Sequence, residues 1–106
     1  LLEEDVMAEK LKILVYFQAA KGKETALRKI LLELMNNSME EEGCTGFELL
    51  QEDKKTPDQF TFIEEWATRQ HFSAHLKAQH LLESNKKLVA VLAKKQEIVI
   101  YTLITD

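Results

Sequence analysis

A single cysteine, Cys44, leaves the chain with no internal disulfide and excludes the stapled scaffolds of small secreted domains. A reducing compartment is therefore expected, and with it a cytoplasmic location. Proline occurs once, at Pro57, and glycine three times, which excludes linker-like and low-complexity chemistry. No apolar run approaches the ~20 residues that a membrane-spanning helix needs. The opening Leu1-Leu2-Glu3-Glu4-Asp5 is acidic and has too little apolar content for a signal peptide. Basic residues number 14 against 18 acidic ones, and the pairs Lys54-Lys55, Lys86-Lys87 and Lys94-Lys95 are scattered. Without a basic stripe, nucleic acid is not expected as a partner. There is also no Gly-rich phosphate loop, no Gly-x-Ser-x-Gly elbow and no paired-cysteine motif.

What remains is an ordinary globular composition whose length suits one core. Residues 1–10 read as an arm, and 11–106 as one domain. Lys12–Ala19 is β-branched and aromatic, a first strand, and Gly22 marks a turn. From Lys23 the period changes: Leu27, Ile30, Leu31 and Leu34 follow the spacing of a helix with one buried face, with Gly43 as its stop. Asn36, Asn37 and Ser38 weaken the helix end, and Glu40-Glu41-Glu42 is poorly placed for the helix dipole. Phe47–Glu52 and Gln59–Trp66 read as a strand pair around a loop at residues 53–58. Thr68 caps a short helix reaching Lys77. A further helix over His80–Ala93 precedes a last strand, Glu97–Ile104. The order β-α-β-β-α-β predicts an α+β, ferredoxin-like domain with a four-stranded antiparallel sheet.

The outer strands are apolar on both faces. Strand one turns Ile13, Val15 and Phe17 one way and Leu14 and Tyr16 the other; strand four turns Ile98 and Ile100 against Val99, Tyr101 and Leu103. Helices hide one face only, and monomers rarely expose a second apolar one. A homodimer closed sheet to sheet is the expected answer, with a deep ligand pocket as the alternative.

Three histidines fall within ten residues. His71 and His75 share a helix face at i, i+4, a spacing that could hold a metal, but no third ligand is visible and no metal site is expected. Phe72 and Leu76 mark the inward face, which places His75 at the core edge and His71 in solvent. His75 is either a structural histidine or a base. Glu64 shares a strand face with Phe60, Phe62 and Trp66; buried there, it has to be paired, protonated or at a cavity. Trp66, Phe62, Phe17 and Tyr16 are candidates for the flat wall an aromatic ligand needs.

Glu41-Glu42-Gly43-Cys44-Thr45-Gly46-Phe47, Phe62-Ile63-Glu64-Glu65-Trp66 and Ala74-His75-Leu76 followed by His80 resemble three segments of the antibiotic-biosynthesis monooxygenase (ABM) family. They stand in the family's order, with Lys21-Gly22-Lys23 after strand one. The resemblance implies a dimeric α+β barrel, a pocket between sheet and helices, and oxygenation of quinols, naphthols or anthrones by O2 without flavin, haem or metal. It makes His75 the expected base and His80 the second candidate, with Glu64 and Trp66 shaping the pocket. One departure is Gln79, where the family usually has proline before the second histidine. Haem-degrading relatives carry Asn, Trp and His where this chain has Val15, His75 and Asn85, which disfavours haem. Two other readings stay open: an isomerase of a small phosphorylated carbonyl signal, whose members usually lack the Trp66 equivalent, and a binding or stress-response dimer.

Overall fold

The computed structural model describes residues 9–104. Most of the arm expected at 1–10 lies outside them. Seven elements follow in order: β1 (Leu11–Gln18), α1 (Glu24–Ser38), β2 (Cys44–Gln51), β3 (Gln59–Trp66), α2 (Arg69–Leu76), α3 (Gln79–Leu88) and β4 (Glu97–Thr102). The strands form one antiparallel sheet in the order β2-β3-β1-β4. This is the ferredoxin-like arrangement, with the second helical segment divided in two.

Alternation explains the core. Leu11, Ile13, Val15 and Phe17 of β1 and Phe60, Phe62 and Trp66 of β3 all point to the helix side and are buried. They meet Leu27, Leu31 and Leu34 of α1, Phe72 of α2 and Leu88 of α3. Phe62 is held edge-on by Phe17 and Phe47, with ring centroids 5.2 and 4.7 Å away, a preferred aromatic geometry.

Several boundaries differ from the sequence reading, and three of the differences have an identifiable cause. First, α1 ends at Ser38, where the Ser38 hydroxyl donates to Leu34 O at 2.7 Å. The three glutamates thus stay out of the helix end, and Gly43 serves a turn that leads directly into β2 at Cys44. Second, the α2–α3 break falls at Ala78, whose extended backbone (φ −65°, ψ 138°) redirects the chain. Third, α3 stops at Leu88 because strand one claims the backbone that follows. Ala93 N donates to Gln18 O and Ala20 N to Val91 O, both at 2.8 Å, and Ala19 bridges Leu92. No helix among the described residues is long and apolar enough to cross a membrane.

Candidate functional site

Glu64 sits two residues before the end of β3, with Ile13 beside it on β1 and Phe47 beside it on β2. All three face the helices, so the carboxyl is surrounded by apolar neighbours and is buried. Its one strong partner is two residues along the same face: Trp66 Nε1 donates to Glu64 Oε1 at 2.9 Å. Burial pushes the Glu64 carboxyl up to about 7; the Trp66 hydrogen bond opposes that rise and the charge of Glu41 adds to it. Near neutrality this group can hold a proton or release one.

The N-cap of α2 aims the next residue. Thr68 is extended and its hydroxyl accepts from His71 N at 3.1 Å, which starts the helix in the phase that turns Phe72 and His75 inward. His75 packs its ring against Trp66, centroid to centroid 4.5 Å, and against Phe72. Its Nδ1 lies 2.6 Å from Glu41 Oε2, and its Nε2 lies 3.8 Å from Glu64 Oε1. A carboxylate only accepts, so Nδ1 carries the proton and Nε2 presents its lone pair on the Glu64 side. Burial pushes His75 below the ordinary histidine value; the hydrogen bond to Glu41 and its charge pull it back up, and His80 lowers it again.

Glu41 belongs to the turn between α1 and β2. That turn is tied by Glu41 N to Ser38 O at 3.0 Å and Cys44 N to Glu41 O at 3.2 Å. The same carboxylate oxygen lies 3.0 Å from His80 Nε2, in the first turn of α3. Glu41, His75 and His80 therefore converge from three separate segments, and Glu64 completes the group on the sheet side.

His75 and Glu64 contribute the ionisable groups of a cavity of about 70 Å³ between sheet and helices. Ile13, Val15, Phe17, Phe47, Phe62 and Phe72 form most of its depth, and Leu76, Asn85 and Ile98 stand at its exposed rim. Ligand sites for drug-sized molecules usually offer ~300–1,000 Å³, so an aromatic ligand has to displace rim side chains here.

Not every residue singled out in the sequence reaches this site. Phe17 and Phe62 line the cavity. Trp66 is fully buried behind it and acts on Glu64 and His75 rather than on the space itself. Tyr16 does not join the wall: it alternates with Phe17, pairs with Thr61 and Glu97, and lies on the open face of the sheet. The inward pair of α2 is Phe72 and His75; Leu76 is half exposed at the rim. His71 points elsewhere, with Nδ1 2.8 Å from the Thr68 hydroxyl and Nε2 3.8 Å from Glu42. Glu41 is the site residue that nothing in the sequence singles out as a candidate. The run Glu40-Glu41-Glu42, unfavourable at a helix C-terminus, signals only that the helix ends before it and does not say which carboxylate turns inward.

The geometry has relatives. A family model described as Antibiotic biosynthesis monooxygenase matches residues 11–87. No curated protein sequence matches the chain. Among solved structures, PA3566 from Pseudomonas aeruginosa is 26% identical, covers 93% of this chain and 98% of its own, and superposes with a TM-score of 0.83. Rv0793 from Mycobacterium tuberculosis is 15% identical, with 92% and 97% coverage and the same score, 0.83. A protein described as an antibiotic biosynthesis monooxygenase is 22% identical, with 90% and 99% coverage and a TM-score of 0.81. The last two likenesses bear on the fold alone; the family match over most of the chain carries the assignment. With its pocket between sheet and helices and its segments in the family's order, the chain belongs to the antibiotic biosynthesis monooxygenase family.

Proposed function

We propose that this protein is a cytoplasmic, homodimeric monooxygenase that oxidises a small quinol- or naphthol-type aromatic with O2, using no flavin, haem or metal cofactor and His75 as the base. The observation that carries the reading is the oriented imidazole. With Glu41 Oε2 2.6 Å from Nδ1, the carboxylate favours the tautomer that donates there, which leaves Nε2, 3.8 Å from the cavity carboxyl of Glu64, as the acceptor. A quinol and O2 give a hydroxyquinone and water, and the substrate itself supplies the electrons. The protein's tasks are to remove a phenolic proton and to keep the resulting anion out of bulk water. Glu64, poised near neutrality, can relay that proton or hydrogen-bond a substrate oxygen as an acid.

At about 70 Å³ the cavity is smaller than the ~150 Å³ of an apolar site that takes one benzene ring, so a quinol or a naphthol enters by displacing the rim side chains Leu76, Asn85 and Ile98. A phosphorylated carbonyl is less well served. Among the described residues that line the cavity there is no lysine or arginine to meet a phosphate.

Oxygen uptake with a panel of reduced quinols, in buffer free of metal and flavin, tests the reading. Uptake is expected with the unmodified protein, and His75→Ala should lower the rate ~10²–10⁴-fold, the usual worth of a positioned base. Uptake no faster than the uncatalysed background would leave a binding protein in place of an enzyme.

A further inference from the structure

His80 and the far side of Glu41 are not needed to explain a base at Nε2 of His75. They nevertheless sit in a tight group. Glu41, His75 and His80 each offer one donor atom, and the three atoms lie within 4.8 Å of one another. The Glu41 oxygen is 2.6 Å from His75 Nδ1 and 3.0 Å from His80 Nε2. Two imidazoles and one carboxylate make a three-ligand set that leaves a fourth position to solvent, and this donor mixture suits zinc-class cations better than magnesium or calcium. With metal–ligand bonds of ~2.0–2.1 Å, tetrahedral ligands stand ~3.3 Å apart. The two contacts to Glu41 have to widen by ~0.3 and ~0.7 Å when a cation takes the protons' place, and the two imidazole nitrogens, which lie within 4.8 Å of each other, have to close to the same spacing. Glu41 belongs to a turn rather than to a packed element, so its carboxylate can make that move. Entry is available too: the Glu41 and His80 side chains are 19% and 24% exposed, whereas that of His75 is 4% exposed.

We propose that Glu41, His75 and His80 bind a divalent transition cation of the zinc class, and that its binding switches off His75 as a base. The second half rests on the function proposed above; the first does not. The cation takes the lone pair of His75 Nδ1, so the ring keeps its one proton on Nε2. His80 likewise keeps its proton on Nδ1. Nε2 of His75 then meets the cavity and Glu64 as an N–H donor and has no lone pair left for a substrate proton. The site is thus a built-in point of inhibition by free zinc.

Titration calorimetry of metal-free protein with zinc chloride, joined to imidazole ¹⁵N NMR, tests both halves. One zinc per chain is expected. Loss of even an outer-shell partner costs ~10–100-fold in affinity, so His80→Ala and Glu41→Gln should each weaken zinc at least ~100-fold. His71→Ala, which removes the one histidine outside the group, should leave affinity within ~3-fold. Because the variants could misfold, cobalt is added to the unmodified protein as a second measurement, and an intense four-coordinate visible spectrum is expected. No zinc binding, a six-coordinate cobalt spectrum, or loss of binding in His71→Ala with retention in His80→Ala each overturns the site. In the NMR spectra, zinc should move the His75 proton from Nδ1 to Nε2; an Nε2 that stays unprotonated overturns the switch. These readouts need no turnover, so a failed oxygen-uptake assay and a failed metal site are separate results.

Discussion

At the scale of single residues, the most informative group is a carboxyl in the wrong solvent. Glu64 lies between Ile13 and Phe47 with Trp66 Nε1 as its hydrogen-bond donor, and burial holds it protonated up to about 7. Its folded pKa is raised above the unfolded value near 4.5, so the folded state binds the extra proton between those two values. Stability is then full below about 4.5, falls as pH rises toward 7, and levels off above. At 1.36 kcal/mol per unit the ceiling on this loss is about 3 kcal/mol. Glu64→Gln keeps an oxygen for Trp66 and cannot ionise. In urea unfolding in chelator-treated buffer, the variant should gain on the wild type by up to that amount between pH 4 and pH 8. A gap that does not change with pH would remove Glu64 as the titrating group. Glu64 was legible in the sequence because a charge interrupted an aromatic strand face. Glu41 was not: a turn residue obeys no period, and only the folded path from Ser38 to Cys44 shows where its carboxylate goes.

At the scale of elements, long periodic segments were readable and their ends were not. β3 runs over Gln59–Trp66 as its alternation predicts, because both faces of that strand are dictated locally. The helix expected over His80–Ala93 stops at Leu88, since Val91 to Ala93 find partners on residues 18–20, some 70 positions away in sequence. No local pattern encodes such a competition. The turn that delivers Glu41 depends on Gly43, which has φ +84° and lies against the His71 ring, so that a Cβ there would overlap the imidazole. Gly22 also has a positive φ, +80°, but faces open space. The two alanine substitutions therefore separate backbone strain from crowding. Gly22→Ala should cost ~1–2 kcal/mol, the left-handed penalty of an L-residue. Gly43→Ala adds the ~1–3 kcal/mol of overpacking and should loosen the Glu41–His75 hydrogen bond by shifting the turn. Thermal melts of the pair provide the check; equal costs would mean that His71 moves aside freely.

At the scale of the whole molecule, the helix layer leaves apolar surface on both sides of the sheet. On the helix side it stops short of β4, where Ile98 and Ile100 remain about half exposed. On the open side, Leu14 stands between Ile63 and Val99 in one cross-strand row, and Tyr16, Leu50 and Tyr101 stand exposed in the two flanking rows. Charges border the open face at one end, where Lys10 and Lys12 pair with Glu65 at 3.3 and 2.9 Å. An apolar centre with a charged margin is the composition of a protein interface, and a two-fold axis through it would let the same face serve both partners. A charge at the centre of that row should be intolerable in a buried interface, yet harmless to a lone protomer, because Leu14 points away from the core. The unmodified protein should therefore sediment as a dimer at micromolar concentration. Leu14→Lys should sediment as a monomer with an unchanged circular dichroism spectrum, its association weakened at least ~100-fold by the cost of burying an unpaired ammonium. If the unmodified protein sediments as a monomer, the exposed row needs another occupant; if Leu14→Lys stays dimeric, the two-fold contact lies on the Ile98–Ile100 side instead.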